Sequence, residues 1–228
     1  LYESRRKIEK KAIKNAIDGF YICSLSSKSI IYKGMFLAES IAEFYTDLND
    51  ERFISRYVIF HQRFSTNTAP SWDLDQPFRA IAHKGEINTL KGNYNWMKVH
   101  EQEMDSPLFN DIENLKPVIP AGSSDSAALD SVFELLNISG QPAPLAKLML
   151  IPDAWSKKSK TLSKDHRQHF NFLNSTMEPW DGPAAIAGTD NEWVIAATDR
   201  NGLRPMRYTI TKDKILCAGS ETGMVELD

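Results

Sequence analysis

The sequence predicts an α+β fold built as one large domain. Apolar residues at helical spacing dominate the middle of the chain, whereas residues 184–218 form short strands joined by tight turns. Helices and strands that are segregated along a chain indicate an α+β architecture, because a parallel α/β sheet needs regular alternation of the two. The 228 residues, 42% of them hydrophobic, are enough for a single core of that kind.

The first half of the chain is predicted to mix helices with apolar strands. Helical periodicity marks two amphipathic helices, and apolar runs bounded by polar residues mark the strands. The last two strands each lead directly into a polar motif. The predicted elements are a helix over residues 5–17, a hairpin of strands 20–25 and 29–32, a helix over 37–48, and strands at 56–60 and 78–82.

The second half begins with helices and ends with strands. Residues 126–136 give the clearest helix, because Leu129, Val132 and Phe133 fall on one face. Asp125 or Ser126 is the predicted N-cap of this helix. The other predicted helices cover residues 93–104, 143–150 and 165–177, and the predicted strands cover 184–187, 193–198, 206–211 and 214–218.

Composition excludes several classes of function. A net charge of −3 gives no basis for nucleic-acid or anionic-membrane binding, and no apolar run is long enough to span a bilayer. The two cysteines form neither a disulfide framework nor a zinc motif, and His166 and His169 fit exposed helix positions better than metal ligation. The prediction is a cytoplasmic protein without a metal site; the plastid is the alternative if the source is a plant or alga.

Three polar clusters follow strand or loop ends, where functional residues concentrate. Arg63 belongs to the first cluster, and its planar guanidinium suits a carboxylate ligand, although a structural salt bridge explains it equally well. Gly85 in the second cluster can present its backbone N–H to a ligand oxygen, or serve turn geometry alone. Asp125 in the third can receive an ammonium group, or act as a plain N-cap.

Together the clusters provide a cationic fork, a backbone amide and a carboxylate. These groups match the carboxylate, the developing oxyanion and the ammonium group of an α-amino acid that is attacked at a side-chain carbonyl. From the residues alone, this remains one interpretation among the structural ones.

Longer motifs follow one another through nearly the whole chain: residues 20–27 (FYICSLSS), 61–68 (HQRFSTNT), 76–79 (QPFR), 82–89 (AHKGEINT), 92–97 (GNYNWM), 122–130 (GSSDSAALD), 179–184 (PWDGPA) and 199–205 (DRNGLRP). In sequence and in order, these motifs resemble a known family, the large subunit of glutamate synthase. The Glu86-Ile87-Asn88-Thr89 and Asn95-Trp96-Met97 segments distinguish this family from other class II glutamine amidotransferases, which share the Arg63, Gly85 and Asp125 positions.

The resemblance implies an N-terminal-nucleophile hydrolase fold, a four-layer αββα sandwich. It implies that a cysteine at the mature N-terminus attacks the glutamine side-chain amide, with its own α-amino group as base. Arg63, with Thr66 nearby, would hold the substrate α-carboxylate, and Asp125 would hold the α-ammonium group. The Gly85 N–H and the side chain at position 84 would form the oxyanion hole.

The resemblance also implies partners and cofactors outside these residues. Ammonia would pass to a synthase domain of the same parent chain, where 2-oxoglutarate is reductively aminated with FMN and an iron–sulfur cluster. A small electron-donating subunit is a further partner that the family allows. No cofactor is expected in this domain itself.

Two departures from the family pattern stand out. The nucleophilic cysteine is expected upstream of Leu1, so residues 1–228 are interpreted as part of one amidotransferase domain that lacks its N-terminal segment and C-terminal end, with an incomplete sandwich and no activity of its own. Cys23 cannot replace the nucleophile, because it is not N-terminal. Lys84 stands where the family has asparagine, and a pairing of Lys84 with a carboxylate such as Glu86 is the favoured expectation.

Two rival functions are also compatible with these residues. Within the enzymes, the rival is another class II amidotransferase. From a different class, the rival is a glutamine-binding or purely structural domain of the same fold that has lost hydrolysis, and Lys84 is the one sequence feature that favours it.

Overall fold

The computed structural model describes residues 1–62, 71–155 and 162–226. Helices precede most of the strands, as the sequence predicts for an α+β fold. The α-helices are α1 (Tyr2–Lys14), α2 (Ile41–Phe44), α3 (Leu90–Glu103), α4 (Asp125–Ile138), α5 (Ala143–Leu150) and α6 (Lys164–Thr176). The strands are β1 (Ile81–Gly85), β2 (Ala184–Thr189), β3 (Val194–Thr198), β4 (Arg207–Ile210) and β5 (Leu216–Gly219). Short 3-10 helices cover Ala38–Ser40, Thr46–Asn49 and Ile112–Leu115.

Two antiparallel sheets form from these strands. The first has the order β1-β2-β3, so β1 is an edge strand of this sheet within the described residues, and the second is the β4-β5 pair. The β2–β3 turn follows the sequence expectation, because Asp190 Oδ1 accepts from the Glu192 and Trp193 amides at 2.9 and 2.7 Å. Asn191 adopts a left-handed conformation there, with φ of 73°, which asparagine tolerates well.

The main core lies between the first sheet and the helices packed on it. Helix α4 supplies an apolar face to this core, as its periodicity predicts. Helix α1 is fastened to α4 by an ion pair between Arg5 and Glu134, whose atoms are 2.5 Å apart. The buried core side chains include Ile81, Ile87, Leu129, Val132, Phe133, Trp180 and Ile186.

Several predicted elements of the first half do not form. The hairpin at 20–25 and 29–32 and the strand at 56–60 are irregular in the structure, and the predicted strand at 78–82 begins later, at Ile81. A strand needs a partner, and the 56–60 segment pairs with none of the strands in the described chain, although Tyr57 and Ile59 are half-buried. The apolar pattern was therefore insufficient to predict these strands.

The predicted helix at 37–48 is also wrong in its continuity. Only α2, four residues long, is α-helical, and 3-10 turns flank it. Tyr45 leaves the helical region with φ of −99° and ψ of 83°, and Leu37 and Phe44 are mostly exposed. Without an apolar surface to cover, such a helix loses most of its stabilisation. Among the helices in the described ranges, none combines the length and hydrophobicity that crossing a bilayer demands.

Candidate active site

The first predicted cluster is only partly described. His61 and Gln62 lie in the described part of the chain, whereas Arg63 and Thr66 lie outside the described residues. The second and third clusters, around Gly85 and Asp125, are described in full. The geometry of the candidate site is therefore built on β1 and the N-terminus of α4.

Hydrogen bonds at both ends of β1 fix the direction of its backbone groups. Thr189 N donates to Ala80 O at 2.9 Å, and Glu86 N donates to Pro183 O at 2.9 Å. In an antiparallel pair, every second residue directs its backbone N–H and C=O to the partner strand. Ala80 and Glu86 both bond to the β2 side, so the backbone groups of the even-numbered residues between them point toward β2. It follows that the odd-numbered N–H groups point to the outer edge of the strand; these belong to Ile81, His83, Gly85 and the following Ile87.

Side chains occupy most of this outer edge. Asp130 Oδ1 accepts from Ile81 N at 2.9 Å. The Gln76 carboxamide forms two hydrogen bonds with the His83 backbone: its Oε1 accepts from His83 N at 2.6 Å, and its Nε2 donates to His83 O at 2.9 Å. Asp125 Oδ2 accepts from Ile87 N at 2.8 Å. Three side chains thus do along this edge what a neighbouring strand would otherwise do.

Gly85 is the exception in this row. Its N–H points to the same edge, and no side chain in the described part of the chain accepts from it. A side chain could not be placed here, because the φ of +142° is a glycine conformation and an added Cβ would lie 1.8 Å from Pro183 O. The close approach explains why the residue is glycine, and the strand alternation explains where its amide points.

Asp125 is not the helix cap that the sequence suggested, and neither is Ser126. The N-cap of α4 is Ser124, whose Oγ accepts from Ala127 N at 3.2 Å. Asp125 is the first helical residue, where a carboxylate is favoured by the helix dipole. Because Ser124 performs the capping, the Asp125 carboxylate is left to reach across to β1.

Ser126 and His83 join the two elements behind this carboxylate. Ser126 Oγ lies 2.6 Å from His83 Nδ1 and 3.2 Å from Asp125 Oδ1. Burial lowers the pKa of His83 to about 4, and the nearby Asp125 carboxylate only partly opposes that effect. His83 is therefore a neutral imidazole near pH 7.

Lys84 lies on the other face of β1, because side chains alternate along a strand and His83 faces α4. Its Nζ forms an ion pair with the Glu221 carboxylate beyond β5. The carboxylate partner is thus Glu221, and Glu86, the example that the sequence suggested, is not the partner in the described structure. Lys84 and Gly85 are adjacent in sequence, but of these two residues only Gly85 points its N–H outward from the free edge of β1.

The arrangement brings an outward backbone donor and a held carboxylate to one edge. Gly85 N–H can stabilise a developing oxyanion, and Asp125, partly exposed, can bind a cation such as an ammonium group. Sequence reasoning assigned no role to Gln76, His83 and Asp130 of this edge, and it considered Ser126 only as a helix cap. A polar residue at an apolar helix position was the signal for Asp130, which is 1% exposed. No group of side chains with metal-site geometry occurs within the described ranges.

Comparisons with known proteins identify the family of this chain. Residues 1–228 match the family described as "Glutamine amidotransferases class-II". The chain is 58% identical over 229 residues to the NADPH glutamate synthase large chain of Azospirillum brasilense and 43% identical over 229 residues to that of Bacillus subtilis. It is 45% identical over 233 residues to the ferredoxin-dependent glutamate synthase of the alga Antithamnion sp.. Each alignment covers 100% of this chain and 15% of the relative, so the chain spans a small part of the relatives' length.

Proposed function

The chain belongs to the class II glutamine amidotransferases, and we propose that it forms part of the glutamine-hydrolysing domain of a glutamate synthase. We call the longer glutamate synthase the parent protein. The observation that carries the proposal is the outer edge of β1, where the Gly85 N–H and the Asp125 carboxylate are presented side by side. The finer architecture proposed for the complete domain is the four-layer αββα sandwich, to which the two sheets would each contribute.

The reaction proposed for this domain is hydrolysis of the glutamine side-chain amide. A cysteine thiolate, supplied from outside residues 1–228, would attack the amide carbon, and the carbonyl oxygen would become an oxyanion. The Gly85 N–H would stabilise that oxyanion. The second donor that the family resemblance assigns to position 84 would require Lys84 to leave its ion pair with Glu221. The oxyanion would then collapse to a thioester as the C–N bond breaks, and the α-amino group of the cysteine would give the proton it took from the thiol to the leaving nitrogen, which departs as ammonia. Water would hydrolyse the thioester to give glutamate and restore the thiol.

Two sets of side chains are proposed to bind the α-carboxylate and the α-ammonium group of the substrate. Arg63 and Thr66 would bind the α-carboxylate, and Asp125 would bind the α-ammonium group. The Asp125 carboxylate suits this role because the Ile87 N–H, just beyond β1, and the Ser126 hydroxyl hold it in place while leaving it partly exposed. Ammonia would then be used by the synthase domain of the parent protein, where 2-oxoglutarate would be reductively aminated with electrons carried by FMN and an iron–sulfur cluster. The location proposed is the cytoplasm, or the plastid in a plant or alga.

The test compares two nitrogen sources in the purified parent protein. We expect Arg63→Ala and Asp125→Ala each to lower kcat/KM for glutamine by about thirtyfold or more, because losing one partner of a desolvated charge pair costs about 2–5 kcal/mol. Glutamate formation from added ammonia should stay unchanged, since the reductive site is separate. Wild-type kcat/KM for glutamine in either variant would remove that residue from the substrate site.

A second candidate is a domain that binds glutamine without hydrolysing it. The Lys84–Glu221 ion pair favours it, because it occupies the side chain at the second oxyanion position. Glutamine binding without glutamate release by the parent protein would select this candidate.

A further inference from the structure

The Asp125 carboxylate is held at both oxygens by groups that the family resemblance does not assign. Oδ2 accepts from Ile87 N at 2.8 Å, and Oδ1 lies 3.2 Å from Ser126 Oγ. Ser126 Oγ in turn lies 2.6 Å from His83 Nδ1. His83 and Ser126 are only 2% and 6% exposed, so water cannot easily replace either contact.

The proton positions in this chain of contacts follow from the chemistry of its members. The carboxylate can only accept, so the Ser126 hydroxyl must donate its one proton to Asp125. The hydroxyl can then contact His83 only as an acceptor, which places a proton on His83 Nδ1. The opposite tautomer would leave a buried Nε2–H, and no acceptor for Nε2 occurs among the described residues.

The far end of the chain of contacts is itself fixed to β1. Gln76 bonds to both the N–H and the carbonyl of His83, at 2.6 and 2.9 Å. His83 stands two residues before Gly85 on the same strand. The position of the Asp125 carboxylate is therefore tied to the strand that presents the Gly85 amide.

We propose that Ser126 and His83 are positioning residues that aim the Asp125 carboxylate at the substrate ammonium group through a directed hydrogen-bond chain, His83 to Ser126 to Asp125. This inference rests on the proposed function. The hydrogen-bond chain keeps the carboxylate in one orientation before glutamine arrives, so the ammonium group meets an acceptor that needs no reorganisation. It also sets the distance between the ammonium subsite and the oxyanion donor.

The experiment is a double-mutant cycle in the parent protein, with kcat and KM for glutamine measured for wild type, Ser126→Ala, Asp125→Ala and the double variant. We expect Ser126→Ala to raise KM about tenfold with little change in kcat, the size of a hydrogen bond to a charged group. In the Asp125→Ala background the same change should have almost no effect, because its target is gone. Ser131→Ala is the matched control: this hydroxyl of α4 donates to Ala127 O instead, and KM should not change.

A rescue at position 83 gives a second measurement. His83→Asn can keep a donor near the Nδ1 position and should retain a KM within about threefold of wild type, whereas His83→Leu should resemble Ser126→Ala. Equal losses from Ser126→Ala with and without Asp125, or no loss at all, would overturn the positioning role. A wild-type parent protein that releases no glutamate from glutamine would instead overturn the proposed function, so the two failures are distinguishable.

Discussion

The two ends of the contact between α4 and β1 use the same chemical group for different purposes. At the closed end, Asp130 is 1% exposed and accepts from three consecutive amides, those of Arg79, Ala80 and Ile81, at 3.2, 2.8 and 2.9 Å. At the open end, Asp125 accepts from one amide and one hydroxyl and is partly exposed. Both are aspartates of one helix, and they accept hydrogen bonds at the two ends of β1, Asp130 at its start and Asp125 just beyond its last residue.

The difference shows what separates a structural carboxylate from a binding one. Protein donors surround Asp130 and partly offset the cost of its burial, which still raises the pKa of this carboxyl above its ordinary value. Asp125 has enough donors to fix its direction, while its exposed side remains open to a cation. A carboxylate that is held but not enclosed is the arrangement expected of a ligand-binding group.

The largest expected effect is on the closed end. Asp130→Ala leaves three buried N–H groups without an acceptor, and we expect the structure around α4 to lose about 3–5 kcal/mol of stability. Hydrogen–deuterium exchange of the α4 peptide covering residues 128–138 in the parent protein measures this loss. Asp125→Ala, the matched variant at the open end, should cost only about 1 kcal/mol by the same measurement. Equal losses at the two ends would break the comparison.

The next effect concerns the oxyanion donor at the open end. Gly85→Ala forces a Cβ to within 1.8 Å of Pro183 O, so the strand must shift and the outward N–H must turn with it. We expect the glutamine-dependent kcat to fall about 10²–10³-fold, the effect of losing one such donor, while the ammonia-dependent rate is kept. Gly92→Ala in α3 is the control, since no heavy atom lies within 4 Å of its added Cβ. An active Gly85→Ala variant would show that the amide serves structure alone.

At the closed end, the hydrogen bonds of Asp130 could not be predicted from local sequence patterns. The periodicity of residues 126–136 predicted α4, and the turn residues near Asn191 predicted the β2–β3 hairpin, because both signals are local. Asp130 sits on the helix as one polar residue, and its three donors come from residues about fifty positions away. No local pattern specifies such a long-range bond.

At the open end, the sequence predicted which residues belong to the site but not how they are arranged. Gly85 and Asp125 were both selected as site residues from their places after a strand and before a helix. The cap was assigned to Asp125 or Ser126, whereas Ser124 forms it, because three adjacent residues can all cap a helix and only the backbone conformation decides between them. The apolar runs at 20–32 and 56–60 predicted strands that the structure lacks, since a strand depends on a partner as well as on its own residues.

A pH-dependent effect should appear at His83, which lies between the two ends. Burial lowers the pKa of His83 to about 4 in the folded protein, against about 6.5 for an unfolded histidine. The contribution of neutral His83 to the free energy of unfolding is therefore fully present above pH 6.5. It is lost as the pH falls toward 4, because the unfolded chain takes up the proton at a higher pH than the folded chain does. The loss should approach about 3 kcal/mol.

The thermal unfolding midpoint of the domain, followed between pH 7 and 4, measures this loss. His83→Asn should flatten the dependence, whereas His166→Gln, a change at an exposed histidine of α6, should leave it as in wild type. An unchanged pH dependence in His83→Asn would mean that other groups cause it.

The smallest expected effect is a change of about tenfold in the glutamine-dependent kcat on substitution of Lys84. It tests whether the open end has a second oxyanion donor besides Gly85. Lys84 pairs with Glu221 on the face of β1 opposite α4, so the structure leaves Gly85 as the outward donor. Asparagine at this position is short and neutral, and aiming it costs less side-chain entropy than aiming a lysine. We expect Lys84→Asn in the parent protein to raise the glutamine-dependent kcat about tenfold, at the low end of the range for one oxyanion donor. The ammonia-dependent rate should not change.

A second variant separates the two possible roles of the lysine. Glu221→Gln removes the ion pair but keeps Lys84, so a lysine that can serve as oxyanion donor would be released to do so. If Glu221→Gln raises the glutamine-dependent kcat and Lys84→Asn does not, lysine is the working donor and the ion pair restrains it. If Lys84→Asn alone raises kcat, the lysine contributes no donor and Gly85 acts by itself. Because both changes lie across the sheet from Asp125, neither should alter KM by more than about twofold, within the small effects of surface ion pairs.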